Sequence, residues 1–318
     1  MTRIAAVVVT FNRSELLLGC LRALNEQTRR LDAIYVVDNA STDSTEDTVS
    51  RFSREAAIPV LYRRLEKNLG GAGGFSFGTR LGMQEGFDWL WLMDDDGVPA
   101  ATALAEIMAV GSEMGVVNSL VADIKGDNDL AFPLENFPGI QSVQQAQAAG
   151  PVIQGSASPF NGTLVSAKVF GKIGYPSRGF FIWGDEVDFL QRAKRAGFAV
   201  GTATHALHRH PKNKKSQKSL LGVANVQYVA DNGRLAIFIR NYVYIMRQYE
   251  GVLNCVKFIA KQFALELISV RDVARSWIVL KSAFTGLVYF PETVRVQRTD
   301  SFVPDIAKST DFSPAPAK

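Results

Sequence analysis

The chain is 318 residues long, 47% hydrophobic and 21% charged, with a formal net charge of +4 at pH 7. That length can bury a substantial core in one large or two smaller domains, and the composition excludes a disordered, collagenous or disulfide-scaffold protein. Cys20 and Cys255 lack metal-ligand spacing and read as buried thiols; without a signal-peptide core or an apolar run of about 18 residues, a cytoplasmic protein is expected.

In chain order, Ile4–Thr10 reads as a buried strand, and Ser14 to Gln27 carries leucines at helical spacing. Residues 34–38 form a second strand ending on Asp38, followed by a turn and a helix to about Phe52. Residues 60–64 give a third strand, 79–86 a helix and 89–93 a fourth strand. Strand–helix alternation at this spacing predicts an α/β, Rossmann-like, mostly parallel sheet. Beyond it, 104–114 reads as helix and 116–122 as strand, while 126–158, rich in Gln, Ala, Gly and Pro, reads as an insertion or loose loop. Short strands are expected at 160–169, 180–183 and 198–204, and a helix at 185–196. From Asn225 the pattern turns helical and aromatic; the tail after Thr299 reads as disordered.

Polar groups stand where the early strands end: Thr10, Asn12 and Arg13 after the first, Asp38 after the second, and Asp94-Asp95-Asp96-Gly97 after the fourth. Strand C-termini are where such a sheet forms its ligand crevice, here one suited to a nucleotide. Alternation sends Asp94 and Asp96 to one face and Asp95 to the other, and two acids on one face suit a hard divalent cation that also grips phosphate oxygens. An isolated Asp-x-Asp is more often a turn or helix cap; the shared location of these groups favours the site. Asn68-Leu-Gly70-Gly71-Ala-Gly73-Gly74 matches neither the dinucleotide fingerprint nor a Walker loop, but lets a ligand approach backbone amides at a helix start.

Phe181 and Trp183 run into Asp185, Glu186 and Asp188. These acids either favour the helix dipole or set a general base beside an aromatic platform for a sugar. All three histidines fall within residues 205–210; His208 and His210 on an extended segment face one way, as metal ligands would. Lys212, Lys214, Lys215 and Lys218 follow, either to neutralise a diphosphate or as a solvated loop. Between Arg234 and Arg298 ten Lys/Arg stand against four Asp/Glu, interleaved with aromatics. This fits a helical domain with a solvated face or helices lying at a membrane surface, and not a nucleic-acid reader.

Taken together, the Val-Val-Val-Thr-Phe-Asn-Arg opening, the Val-Val-Asp-Asn-Ala-Ser-Thr-Asp turn, the acidic triplet and the Gly-Asp-Glu-Val-Asp-Phe-x-x-Arg helix resemble the inverting family 2 glycosyltransferases of GT-A fold. The likeness covers about residues 3–210. Asn-Leu-Gly-Gly-Ala-Gly-Gly-Phe and Met-Asp-Asp-Asp look most like the mycobacterial galactofuranosyltransferases, with rhamnosyltransferases as the alternative.

The resemblance implies a GT-A domain over 1–222, a basic-aromatic helical region over 223–299 and a tail over 300–318. It implies Mn²⁺ or Mg²⁺ on Asp94 and Asp96. Thr10, Asn12, Arg13, Asp38, Asn68 and Asp95 would hold the nucleotide, with Gly70, Gly71 and Gly74 near the donor sugar. Counting six residues back from Arg192 puts the base on Glu186, with Asp185 as the neighbouring acid, the choice between them open. The metal histidine is His210, or His208 if one small deletion intervenes. Trp183 and Phe181 would meet the acceptor. The implied partners are a nucleotide-sugar donor, UDP-sugar favoured over dTDP-rhamnose, and a lipid-linked or glycan acceptor, with peripheral contact at the inner face of the cytoplasmic membrane. A nucleotidyltransferase, or a sugar-nucleotide-binding protein without catalysis, are the competing readings; the former needs a basic, glycine-rich loop after the first strand, which Thr10-Phe-Asn-Arg13 does not supply.

Overall fold

The computed structural model describes residues 2–111, 113–126, 128–134, 136–212, 216–291 and 306–312. Strand and helix alternate through β1 (Ile4–Thr10), α1 (Ser14–Asn25), β2 (Ala33–Asp38), α2 (Thr45–Ser53), β3 (Val60–Leu65), α3 (Gly70–Gln84) and β4 (Trp89–Asp94). The four strands pair in parallel in the order β3-β2-β1-β4. Their order reverses between β1 and β4, the switch point at which open α/β sheets bind ligands.

Every residue of β1 is buried because both faces of the sheet are covered. Ile4, Ala6 and Val8 pack with Leu17 and Leu21 of α1 and Phe52 of α2, whereas Ala5, Val7 and Val9 pack with Phe75 and Phe77 of α3. A stripe of glycines lets α3 lie close on the sheet. A Cβ on Gly74 would stand 2.5 Å from Val9 Cγ1, and one on Gly78 2.5 Å from Val7 Cγ1.

The chain continues through β5 (Val98–Pro99), α4 (Ala103–Gly111), β6 (Val116–Asp123), α5 (Val143–Ala148), β7 (Val152–Gln154), β8 (Asn161–Ser166), α6 (Ala167–Ile173), α7 (Asp185–Arg195) and β9 (Val200–His210). The sheet extends as β4-β8-β6-β9-β5, with β7 also on β9. β8 is antiparallel to both neighbours, while β6 and β9 are parallel. Against β6, the register of β9 jumps from Ala203 to Leu207, so residues 204–206 bulge out. Beyond the bulge, Pro99 pairs with His208 and Val98 with Arg209, which brings the end of β9 alongside the acidic turn.

A hairpin, β10 (Gln217–Leu220) and β11 (Ala224–Gln227), leads to α8 (Asn232–Ile245), α9 (Val252–Ala264) and α10 (Val273–Val288), the helices linked by wider π-type turns at Met246–Glu250 and Leu265–Val270. Leu235, Phe238, Ile239 and Val243 of α8 share a separate core with Cys255, Val279 and Ala283. Both cysteines are free and buried. β12 (Ile306–Phe312) pairs antiparallel with β3.

Four elements differ from the sequence reading. The helix expected at 79–86 begins nine residues earlier, at Gly70, because its glycines pack against the sheet instead of breaking the helix. Residues 180–183 form no strand: a 3₁₀ turn at Arg178–Phe180 leads into a loop with positive φ at Phe181 and Trp183. The stretch 126–158 is no loose loop, since Leu130, Leu134, Val143 and Ile153 pack on Leu120 and Ala122 of β6. Residues 306–312, placed by the sequence in a structureless tail, cover the open edge of β3.

Candidate active site

The acidic turn sits at the switch point. Thr10 at the end of β1 donates its hydroxyl to Asp95 Oδ2 (2.7 Å), and Arg13 Nη1 reaches Asp95 Oδ1 (3.3 Å) and Asp96 Oδ2 (3.0 Å). Asp95 is 3% exposed, so it ties the two strand ends together, with Asp94 and Asp96 less buried on either side. Burial, then the charges of Asp96 and Asp95, push the Asp94 carboxyl up to about 8. Among the described residues Arg13 and His210 supply counter-charge to this cluster of acids, and a divalent cation would add to it.

His210 closes the group: its Nε2 lies 3.0 Å from Asp96 Oδ1, and its Nδ1 lies 2.7 Å from the Pro211 carbonyl. Desolvation pulls the imidazole down, but the hydrogen bond and charge of Asp96 outweigh it and raise the histidine. Burial likewise pushes Asp96 up, yet His210 and Arg13 bring it below the usual carboxylate range. His208 faces the same way but is fully buried. Its ring is wedged so tightly that a Cβ on Gly97 would stand 2.1 Å from Nε2 and one on Gly162 2.8 Å from Nδ1. Neither ring nitrogen has a hydrogen-bond partner among the described residues, and burial pushes the imidazole down to about 3. The structure thus brings His210, and not His208, against the acids; His208 stays neutral behind the turn.

The side expected to meet a nucleotide is built by side chains holding backbone. Asn12, at φ 53, accepts from Thr42 N–H (2.7 Å), while its own N–H donates to Ser41 Oγ (2.9 Å). Asp38 is 1% exposed and accepts from Tyr62 Oη (2.5 Å) and Ser41 N–H (2.8 Å). Asn68 Oδ1 accepts from Gly70 N–H at the start of α3 (2.7 Å). The glycines divide: Gly70, at φ +71, lies against the Phe181 carbonyl and Gly74 against Val9, so both serve packing within the protein, and only Gly71 of the three has open space where a side chain would be. The Phe181 carbonyl also takes the Ala72 N–H (3.2 Å). Of the basic cluster, Lys212 Nζ lies 3.8 Å from Asp129 and Lys218 stacks on Tyr228; Lys214 and Lys215 lie outside the described residues.

The acids of α7 approach from the other side. Glu186 Oε2 accepts from Gly184 N–H (2.8 Å). Asp185, 4% exposed, is held well above the usual carboxylate range by burial, then by the charge of Glu186 and the hydrogen bond between them, with Asp94 adding to it. Asp188 is not free for chemistry: it takes Arg192 Nε (2.8 Å) and Tyr249 Oη (2.7 Å). Phe181 is 38% exposed, whereas Trp183 packs edge-on to Phe238 at 6.1 Å.

Sequence reasoning noted Asn39 beside Asp38 at the strand end but gave it no role of its own, whereas its amide donates to Gly70 O (3.2 Å) and accepts Leu69 N–H (3.2 Å); it missed Tyr62, which holds Asp38. Asn39 stood next to a flagged acid and was legible; Tyr62, within an ordinary strand, gave no signal.

The fold and the strand-end acids define a GT-A architecture. At 16% identity, a mannosyltransferase of Pyrobaculum calidifontis, solved with GDP-mannose and Mn²⁺, superposes with a TM-score of 0.51 over 90% of this chain and 74% of its own. Staphylococcus aureus TarS 1–349 in complex with UDP, 13% identical, superposes with a TM-score of 0.52 over 90% of this chain and 89% of its own. Residues 5–163 match the model of glycosyl transferase family 2, and the chain belongs to that family; it is a glycosyltransferase. The galactofuranosyltransferase GlfT1 of Mycolicibacterium smegmatis is 33% identical over 87% of this chain and 95% of its own length.

Proposed function

We propose that this glycosyltransferase moves galactofuranose from UDP-galactofuranose, with inversion, onto a lipid-linked or polysaccharide acceptor in bacterial cell-surface glycan synthesis. The observation that carries it is the near-full-length likeness to a galactofuranosyltransferase, with an acid–histidine cluster at the switch point to match. The donor types, two carboxylates and an imidazole, suit a divalent cation, although among the described residues they are not gathered into a three-ligand cluster: Asp94 is burdened by its neighbours, and His210 stands at Asp96 where a cation would replace its proton. Asp94, Asp96 and His210 would hold Mn²⁺ or Mg²⁺, which when bound offsets negative charge on the departing diphosphate.

The chain's own groups do the rest. Arg13 and Thr10 fix the acidic turn through Asp95, and Asn12, Asp38 and Asn68 shape the nucleotide side. Gly71 leaves room for the donor. Glu186, held by Gly184 N–H, takes the proton of the acceptor hydroxyl as the oxygen attacks from the face opposite the leaving group. Phe181 offers a partly exposed ring to the acceptor.

Among the described residues no helix is long and apolar enough to cross a membrane. The outer faces of α9 and α10 instead expose Val252, Leu253, Trp277 and Phe284 beside Lys257, Lys261 and Lys281, and this face is proposed to rest on anionic lipid near the acceptor.

The test is transfer from UDP-galactofuranose or dTDP-rhamnose, each with Mn²⁺, onto a lipid-linked oligosaccharide. UDP-galactofuranose alone is expected to donate, giving an inverted anomeric centre by NMR, with activity lost to EDTA. Transfer from dTDP-rhamnose alone, or retained configuration, contradicts the proposal.

A further inference from the structure

We propose that Asn241 of α8, backed by Arg240, is a positioning residue for the base. It fixes the peptide plane whose N–H meets Glu186.

The loop between α6 and α7 adopts backbone shapes that aromatic residues rarely take, with φ 67 at Phe181 and φ 62 at Trp183, then φ 99 at Gly184. No strand ladder holds it. Asn241, fully buried, does: its Nδ2 shares its two hydrogens among the carbonyls of Phe180 (3.0 Å), Ile182 (2.9 Å) and Trp183 (2.7 Å). The amide cannot be turned round, because Oδ1 accepts from Arg240 Nε (2.9 Å) and Nη2 (2.8 Å), and three carbonyls demand a donor. Arg240 Nη2 also reaches the carbonyls of Gly179 (2.9 Å) and Phe180 (3.2 Å).

The Trp183 carbonyl and the Gly184 N–H are opposite edges of one planar peptide unit. Asn241 grips the first edge at 2.7 Å, and the second donates to Glu186 Oε2 at 2.8 Å. Rotation of that plane therefore moves the base, and the chain from Arg240 through Asn241 to the peptide polarises each bond along it. The C-terminal helices are coupled to the catalytic carboxylate through this contact. The inference rests on the reading of Glu186 as the base.

The experiment measures kcat, donor KM and Mn²⁺–UDP affinity for Asn241→Ala, Glu186→Gln and the double variant. Asn241→Ala is expected to lower kcat by about 10- to 100-fold, with donor KM and Mn²⁺–UDP affinity within about twofold of wild type. On the Glu186→Gln background it should cost less than about twofold more, because nothing is left to position. An equal loss on both backgrounds, or a donor KM that rises in step with the fall in kcat, makes the role structural and overturns the proposal. Wild-type transfer by Glu186→Gln instead overturns the base assignment itself. Should Asn241→Ala not fold, Arg240→Met, which frees the amide to turn, is expected to show the same pattern at smaller amplitude; unchanged kcat there overturns the proposal.

Discussion

Asp94, at the end of β4, and His208, on β9, carry opposite electrostatic burdens. Burial and two neighbouring carboxylates push Asp94 up to about 8, so the folded protein keeps a proton that the unfolded chain loses near pH 4. That contribution to stability is present at low pH and is lost as pH rises to about 8. His210, also raised, acts in the same sense. His208, pushed down to about 3, acts oppositely, but only up to its ordinary value of about 6.5. Between about pH 6.5 and 8.5 the raised groups set the slope. Thermal unfolding of metal-free protein is expected to shift to lower temperature across this window, with Asp94→Asn shallower than wild type. A wild-type midpoint that rises with pH contradicts the assignment. At this scale the acids and histidines were legible because several polar residue types at consecutive strand ends are improbable by chance. Which histidine meets the acids was not. Both lie on one face of β9, and only the glycine walls at Gly97 and Gly162 show that His208 is sealed off.

The strands and helices of the first hundred residues were readable from period and composition alone, since β1, β2 and β4 are apolar on both faces. Elements stabilised by distant partners were not. Residues 180–183 looked like a strand because aromatic residues favour strands, and their conformation depends on an asparagine about sixty residues away. The edge strand β12 is polar and gains its partner only because β3 would otherwise present an open edge. The C-terminal helices are joined by a similarly hidden contact. Arg275, 5% exposed, makes a bidentate pair with the fully buried Glu266 (2.7 and 3.0 Å) and also donates to the carbonyls of Val229 and Ala230. Removing one partner leaves a buried charge, at a cost of about 3–5 kcal/mol. Urea unfolding of Arg275→Ala is expected to show a loss of that size, and the double variant Arg275→Met with Glu266→Met to recover much of it. A loss near that of an exposed lysine substitution would show that the pair contributes little.

At the scale of the molecule, a sheet covered on both faces carries the donor side, and a helical layer beside α7 carries the face proposed for lipid. Trp277 is 67% exposed and Phe284 69%, two turns apart on α10, where a solvated helix would place polar groups. Sedimentation with vesicles is expected to carry the protein down when anionic lipid is present, less at high salt, and less for Trp277→Ser with Phe284→Ser. Equal recovery with neutral vesicles and with the double variant would remove the lipid contact from the account. The sequence disclosed this layer as basic and aromatic, yet not that its inner face holds the loop leading into α7 and the proposed base, Glu186; that depends on the packing of α8, which periodicity does not report. The central claim remains a cation gripped at the switch point beside the donor. Titrating Mn²⁺ in the presence of UDP, read by electron paramagnetic resonance, tests it most directly. Wild-type protein should bind one ion, and Asp96→Asn and His210→Ala should each bind it about tenfold or more weakly; Mn²⁺ bound as tightly by both variants as by the wild type would contradict it.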